Sequence, residues 1–350
     1  MIKSNKIQNR KIVVAMSGGI DSSVCAALLK KAGFQVQGVF MKLSPNYSEL
    51  AQKRARQIAN FLKIPFQVLD LRKEFKKKVI DYFIKAYKEN QTPNPCVICN
   101  KEIKFGLFLE NVLTNVLSKK NALMSTGHYV RIEKSGSKYK MLRAKDKKKD
   151  QSYFLWTLKQ NQLKHILFPL GDYTKKQVKQ LGRKFKIPFL DNPESQEICF
   201  IKTCLEDFLK KHIKNKKGNI VDTNGKIIGE HQGLHFYTIG QRKGIRINKG
   251  PWYVIDKNMK SNILIVSQKQ KGLMKKELIA KDTNWISGKE PKLPIKIKGQ
   301  IRYQHQAISA TISRHKIVFD KSQKAITPGQ SIVFYKRNQL LGGGIINENH

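Results

Sequence analysis

Residues 15–23 read Ala-Met-Ser-Gly-Gly-Ile-Asp-Ser-Ser, directly after the apolar run Ile12-Val13-Val14. A strand running into a small-residue turn that opens a helix is predicted here. Gly18 and Gly19 present no side chain to an approaching ligand. The free backbone N–H groups of a helix start carry about half an elementary charge, which favours an anion. Ser17, Ser22 and Ser23 add hydroxyl donors, so the turn has the makings of a phosphate cradle. Asp21 repels phosphate, and it makes chemical sense if it holds Mg²⁺ or orders the loop. No Gly-Lys-Ser/Thr follows, so this is not a Walker loop. An ordinary Ser/Asp-capped helix is the simpler alternative; the whole run S-G-G-x-D-S-S behind a strand favours phosphate binding.

Cysteine supplies the second chemistry. Cys96 and Cys99 lie in Thr92-Pro-Asn-Pro-Cys-Val-Ile-Cys-Asn-Lys-Glu-Ile-Lys-Phe105, at or just before a helix start. Pro93 and Pro95 stiffen the approach. The helix N-terminus and Lys101 and Lys104 are expected to favour thiolate over thiol. Cys199 lies in Asp191-Asn-Pro-Glu-Ser-Gln-Glu-Ile-Cys199-Phe, with Cys204 following. These spacings allow a Cys₄ zinc site from Cys96, Cys99, Cys199 and Cys204. They also allow an iron–sulfur cluster on Cys96, Cys99 and Cys199, or a reactive pair, one cysteine from each segment, that passes sulfur. Cys25 and Cys204 read as small buried apolar residues, Cys204 packing against Phe208 on a helix over 203–213.

Composition bounds the partners. In 350 residues Lys+Arg number 68 against 25 Asp+Glu, a net charge of +43. That excess attracts polyanions, nucleic acid first among them, although a lysine-rich, A+T-driven composition contributes to it. No run of about 18 apolar residues exists, so no membrane span is expected. The N-terminus lacks an apolar signal core. Five cysteines, an odd number, point to a reducing, cytoplasmic setting rather than a disulfide scaffold.

The elements that must position these residues follow from periodicity. Residues 11–129 alternate strand and helix, which implies a doubly wound parallel sheet of α/β class with its ligand at the strands' carboxyl ends. Strands are predicted at 36–41, 65–71 and 122–129, and helices at 48–62, 75–87 and 102–117. A hairpin turns at Lys134-Ser-Gly-Ser, between 130–133 and 138–143. Residues 145–149 read as a solvated loop, 158–166 and 174–186 as helices, and 188–193 as a loop. From about residue 216 the chain reads as strands and turns, and its last 75 residues as a small β-barrel. The expected domains are 1–204 for nucleotide and catalysis, a small central domain over 205–275, and a C-terminal barrel over 276–350.

Eleven ordered segments carry a family resemblance. Besides Ser17–Ser23 and Thr92–Phe105 they include Thr126-Gly-His-Tyr129, Lys149-Asp-Gln-Ser-Tyr-Phe154, Leu167-Phe-Pro-Leu170 and Ile198-Cys-Phe-Ile201. Gly229-Glu-His-Gln-Gly233, Tyr237–Gly244, Pro251–Val254, Thr327-Pro-Gly-Gln330 and Gly342–Ile346 follow. Over nearly its whole length the chain resembles the bacterial tRNA-specific 2-thiouridylases, a family of PP-loop ATP pyrophosphatases.

The resemblance implies that ATP sits on Ala15, Met16, Ser17, Gly18, Gly19, Ile20, Asp21 and Ser22, with Met41 and Gly127. It implies Cys99 as nucleophile and Cys199 as persulfide carrier. Asn94, Pro95 and Cys96 would meet the target base. His128, Lys149, Asp150, Gln151, Arg302, Tyr303 and Gln330 would touch tRNA, with the barrel taking part in tRNA binding. The implied reaction adenylates the 2-oxygen of the wobble uridine in lysine, glutamate and glutamine tRNAs, using ATP and Mg²⁺. Persulfide sulfur from a sulfur-relay donor protein replaces AMP and leaves a Cys99–Cys199 disulfide. Relatives carry either Asp or Cys at position 96, which leaves the role of Cys96 open and keeps a cluster-dependent thiolase on Cys96, Cys99 and Cys199 as an alternative. A PP-loop amidotransferase or ligase is a third reading, opposed by the paired cysteines. A monomer is expected.

Overall fold

The computed structural model describes residues 10–44, 48–116, 122–189, 198–248 and 250–347. A five-stranded parallel sheet heads the chain, in the order β3-β2-β1-β4-β7. Its strands are β1 (Lys11–Ala15), β2 (Gln35–Lys42), β3 (Phe66–Asp70), β4 (Leu123–Ser125) and β7 (Ile166–Leu167). Ile12, Val13 and Val14 are wholly buried, as a central strand covered on both faces must be. Helices α1 (Ile20–Lys31) and α2 (Glu49–Phe61) pack on the sheet. Ser48 caps α2, its hydroxyl accepting the Ala51 N–H at 3.1 Å. Because the strands run parallel, the turn after β1, the end of β2 and the turn after β4 converge on one rim.

Two longer helices cover the other flank. Residues 72–88 form α3, widened to π geometry at Lys76–Ile80. Residues 95–116 form α4, π-widened over Cys99–Phe108. The predicted start at 102 is therefore seven residues late. Asn94 is the N-cap, its Oδ1 accepting the Val97 N–H at 3.4 Å, and Pro95 sits at the first helical position, where its missing N–H costs nothing. Both Cys96 and Cys99 thus lie within the helix.

The hairpin β5 (Val130–Ser135) and β6 (Lys138–Arg143) forms as predicted, but it does not stand alone. β6 pairs with the last strand of the chain, Leu142 opposite Gln339 and Met141 opposite Leu340. The helix predicted over 158–166 is shorter, α5 (Gln160–Leu163), and the residues after it enter the sheet edge as β7. Helix α6 spans Lys175–Lys184, with Thr174 and Gln177 forming a capping box. The 145–149 loop is tethered, since Asp146 accepts the Lys148 and Lys175 N–H groups at 3.0 and 2.9 Å. Part of the loop predicted over 188–193 lies outside the described residues.

A four-stranded sheet follows, β10-β11-β8-β9, from β8 (Gly218–Val221), β9 (Ile227–His231), β10 (Tyr253–Asn258) and β11 (Ile263–Ser267). The rest closes into a barrel. It uses β12 (Met274–Trp285), β13 (Ile295–Gln300), β14 (Ile308–Ser313), β15 (Lys316–Lys324), β16 (Ser331–Lys336) and β17 (Gln339–Asn347). The ladder β12-β15-β14-β13-β16-β17 returns to β12, so six strands close around Leu278, Ile312, Phe319, Ile332 and Phe334. The barrel and the segment after β6 share buried polar contacts. The Tyr153 hydroxyl donates to the Ser331 carbonyl at 2.9 Å and Trp156 Nε1 to Ser331 Oγ at 3.0 Å. Among the described residues no helix is long and apolar enough to cross a membrane.

Candidate nucleotide and sulfur-transfer site

A cavity of about 670 Å³ opens at the carboxyl rim of the parallel sheet. One wall is the turn between β1 and α1. Gly19 is the N-cap and offers no side-chain cap, so the first-turn amides of α1 have no intrahelical acceptor and face outward. Ser22 and Ser23 hydroxyls donate to the Gly19 carbonyl at 3.0 and 2.8 Å, and the Ser17 N–H donates to Ser22 Oγ at 3.1 Å. Ser23 thus holds the turn from within rather than facing a ligand as predicted. Gly18 has φ +78° and lies so close to α2 that a Cβ would stand 2.5 Å from the Ala51 carbonyl oxygen. A Cβ on Gly127 would stand 2.9 Å from the Asp21 and Ser22 backbone. Gly18 and Gly127 shape the cradle because only glycine permits these approaches.

Of the ten residues predicted for ATP, Ala15, Met16, Ser17, Asp21, Ser22, Met41 and Gly127 line the cavity; Gly18, Gly19 and Ile20 complete the turn beside it. Sequence reasoning missed the partners of Asp21. Lys175 Nζ reaches both carboxylate oxygens at 2.7 and 2.8 Å, and the Tyr129 hydroxyl donates to Oδ1 at 2.7 Å. Lys175 comes from the first turn of α6, 154 residues away. Tyr129 is part of the Thr-Gly-His-Tyr motif, but neither residue carries a sequence signal that pairs it with Asp21.

The opposite wall carries Pro95, Cys96, Cys99 and Cys199, with Lys104, His128 and Gln151. Cysteines a hundred residues apart thus share one cavity. Cys99 is buried, while Cys96 and Cys199 are exposed through the opening, and all five cysteines are free thiols. The expected thiolates are not what this state favours. Removal from water raises Cys99 to about 12 and lifts Cys96 and Cys199, and only Lys104 pulls the other way on all three. Among the described residues no three His, Cys, Asp or Glu side chains converge to hold a metal ion. The donor set for the zinc or cluster readings is therefore not assembled.

The two cysteines predicted to be buried differ. Cys25 is buried, its Sγ 3.2 Å from Ser125 Oγ. Cys204 is not: it is exposed, and it caps α7 (Leu205–Lys210), its sulfur accepting the Asp207 N–H at 3.5 Å. The helix starts one residue later than Cys204, so the thiol serves the backbone instead of packing on Phe208.

The residues predicted to touch tRNA split into two kinds. Gln151 lines the cavity and accepts the Tyr129 N–H at 3.0 Å. His128 is buried, 2.6 Å from Thr126 Oγ1 through Nδ1, and desolvation with Lys104 nearby holds its pKa well below the ordinary value, hence a neutral ring. Asp150 is also buried; it accepts Arg143 at 2.9 Å, the Ala144 N–H at 3.0 Å and Ser152 Oγ at 2.8 Å. Its carboxylate is spent inside the protein, so it shapes the surface carrying Lys149 rather than presenting itself. Arg302 donates to the Ala325 carbonyl at 3.1 Å, and Tyr303 stacks on Phe154 at 4.5 Å between ring centroids. Gln330 Nε2 donates to the Thr92 carbonyl at 2.8 Å, two residues before Asn94.

Family models described as a tRNA methyl transferase HUP domain, a tRNA methyl transferase PRC-barrel domain and an aminomethyltransferase beta-barrel domain match residues 10–203, 206–268 and 275–346. The chain is 44% identical to the tRNA-specific 2-thiouridylase MnmA of Clostridioides difficile (strain 630), over 97% of its own length and 99% of that protein's. It is 44% identical to MnmA 1 of Clostridium tetani (strain Massachusetts / E88), covering 99% and 98%. With MnmA of Buchnera aphidicola subsp. Acyrthosiphon pisum it shares 43%, covering 97% of each. Identity at this level from end to end, through all three domains, makes the chain a member of the MnmA family of tRNA-specific 2-thiouridylases.

Proposed function

We propose that this protein replaces the 2-oxygen of the wobble uridine in tRNA by sulfur, in lysine, glutamate and glutamine tRNAs. The observation that carries the reading is the shared cavity: the small-residue turn between β1 and α1 on one wall, Cys99 and Cys199 on the other. The uracil 2-oxygen is a poor leaving group. Attack on the α-phosphate of ATP releases pyrophosphate and converts that oxygen to an adenylate. The first-turn amides of α1 and Ser17 suit the departing phosphates. Asp21 suits Mg²⁺, which is held by one or two carboxylates together with substrate phosphates; Lys175 and Tyr129 keep that carboxylate in place.

Sulfur arrives from a persulfide donor protein as Cys199–S–S⁻. Its terminal sulfur bonds to C2 and AMP leaves with the C–O electron pair. Cys99 thiolate then attacks Cys199 Sγ, the S–S bond to the base breaks, and the electron pair stays on the new 2-thiouridine. The cysteines end as a disulfide that a cellular thiol reductant reopens. This demands Cα atoms roughly 4.4–6.8 Å apart at the moment of transfer. Asn94, Pro95 and Cys96 flank the place where a flipped-out base would sit. His128, Lys149, Gln151, Arg302, Tyr303 and Gln330 line its approach, with Asp150 acting through Arg143. Residues 1–204 carry the chemistry, while 205–275 and the barrel of 276–350 extend the RNA surface. The protein acts as a monomer in the cytoplasm.

Purified protein given unmodified tRNA, ATP, Mg²⁺ and a persulfide donor should yield 2-thiouridine, with AMP and pyrophosphate in equal amounts. Nucleoside analysis by mass spectrometry reads the product. Transfer of a methyl group instead, or thiolation without ATP cleavage, overturns the reading.

A further inference from the structure

The sulfur wall of the cavity must host negative charge, yet its surroundings are poor in cations. Three thiols and a neutral imidazole line it. Asp21, across the cavity, is committed to Lys175 and Tyr129. Lys101, expected from the sequence to assist, points to solvent and pairs with Glu102 at 3.4 Å, and Glu102 also holds Lys78 at 3.0 Å. Lys202 reaches the rim but is exposed. Lys104 is different: it lines the cavity half-buried, and its ammonium makes no hydrogen bond or ion pair with any described residue.

Helix geometry explains its placement. In an α-helix residues five apart point well away from each other. Cys99–Phe108 is π-widened, with i→i+5 hydrogen bonds, and residues five apart then stack on nearly the same side. Lys104 is five residues after Cys99. The widening therefore brings its ammonium to the wall that carries Cys99, and into the fields of Cys96, Cys199 and His128. An ammonium with no carboxylate partner among the described residues, beside three thiols, is a counter-ion awaiting an anion.

We propose that Lys104 is the positioning cation of sulfur transfer: it holds the negative charge of the Cys199 persulfide and then of the Cys99 thiolate at the sulfur wall of the cavity. No sulfur bonds to it and no proton need pass through it. It acts by making the charged form of each sulfur less costly when burial opposes that form. The inference rests on the sulfur-relay reading of Cys99 and Cys199, and its test is independent of thiolation.

The test is alkylation of the whole protein by iodoacetamide, without nucleotide or tRNA, over pH 6.5–10. Modification of each cysteine is followed by peptide mass spectrometry in wild type, Lys104→Gln, Lys104→Met and Lys104→Arg. In Lys104→Gln and Lys104→Met the pH midpoint for Cys199 should rise by about one unit, so that its rate at pH 8 falls about tenfold. Cys99, buried and raised to about 12, titrates above this window, and its already slow modification at pH 10 should fall further in the neutral variants. Lys104→Arg should stay near wild type, because it keeps the charge. Cys204, on the surface at the start of α7, should react at the wild-type rate in every variant and report that the fold persists. An unchanged Cys199 midpoint in either neutral variant that keeps wild-type circular dichroism overturns the proposal. So does an arginine variant that behaves like glutamine. Failure of the protein to thiolate any tRNA would instead strike the functional reading and leave this measurement intact.

Discussion

Gln330, just before barrel strand β16, donates its side-chain amide to the backbone carbonyl of Thr92 at 2.8 Å, and the Thr92 N–H donates to the Pro328 carbonyl at 2.9 Å. The barrel thus grips the chain two residues before Asn94, the cap of the helix that bears Cys96 and Cys99. Thr92 also touches Thr238 of the central region through their hydroxyls at 3.2 Å, and Lys257 bonds the Asn90 carbonyl at 2.9 Å. Three parts of the molecule meet on the approach to the cysteines. Gln330→Ala should cost about 1 kcal/mol of stability, the worth of an ordinary hydrogen bond. It should lower thiolation several-fold while ATP binding stays unchanged. Calorimetric unfolding and nucleotide titration check the two halves separately.

Asp21→Asn keeps the shape of the side chain and removes the charge that Lys175 and any Mg²⁺ would use. Pyrophosphate release should fall at least a hundredfold, about 2.7 kcal/mol of transition-state stabilisation. Binding of tRNA should persist. A pyrophosphate assay at wild-type rate with this variant would show that the turn after β1 does not serve nucleotide cleavage.

Cysteine variants separate chemistry from architecture. Cys99→Ser and Cys199→Ser should each eliminate thiolation. Cys96→Asp should retain appreciable activity, as a relay needs no thiolate there; a zinc site would lose a thiolate it needs. Cys25→Ser should thiolate near the wild-type rate. Cys204→Ala should leave thiolation intact and cost about 0.5–1 kcal/mol, because it removes the cap of α7.

Alkaline pH should destabilise the protein. Burial raises Cys25 to about 12 from 9.0 and Tyr87 to about 12 from 10.0. Each group keeps its proton longer when folded than when unfolded. Their contribution is fully present below pH 9 and is lost as pH climbs towards 12. The urea midpoint should therefore fall steadily between pH 9 and 11, and less steeply in Cys25→Ala, whose smaller side chain carries no titrating thiol.

A chain ending at residue 215 should not give a folded nucleotide domain. It would uncover Tyr153 and Trp156, which bond Ser331, and would strip β6 of its β17 partner. Loss of near-ultraviolet circular dichroism or aggregation is the expected outcome; a sharp thermal transition would show the N-terminal sheet to be self-sufficient. The RNA contact is better tested in the whole chain, where tRNA affinity should fall with salt at a log–log slope of roughly −0.7 to −0.9 per phosphate neutralised.

Local patterns along the chain specify each element and the raw materials of the chemistry. Alternating apolar runs from Ile12 onward specify a buried parallel sheet, because strand and helix periods leave different spacings of buried side chains. The Ser-Gly-Gly-Ile-Asp-Ser-Ser turn marks the anion site, because small residues and free amides are local properties. Helix ends are less legible: α4 starts at Pro95, seven residues before the apolar pattern becomes regular, and Cys204 is a cap rather than a core residue.

Which distant groups meet depends on how the elements pack. Asp21 is paired with a lysine 154 residues away, and β6 is sewn to β17. Whether a thiol beside lysines is charged also could not be read along the chain. Proximity in sequence suggested thiolate, but desolvation depends on what folds over the thiol, and at Cys99 it outweighs Lys104. The same holds for Lys101 and Lys104, alike in the sequence as neighbouring cations. π-widening of one helix sends the first to solvent and the second to the sulfur wall.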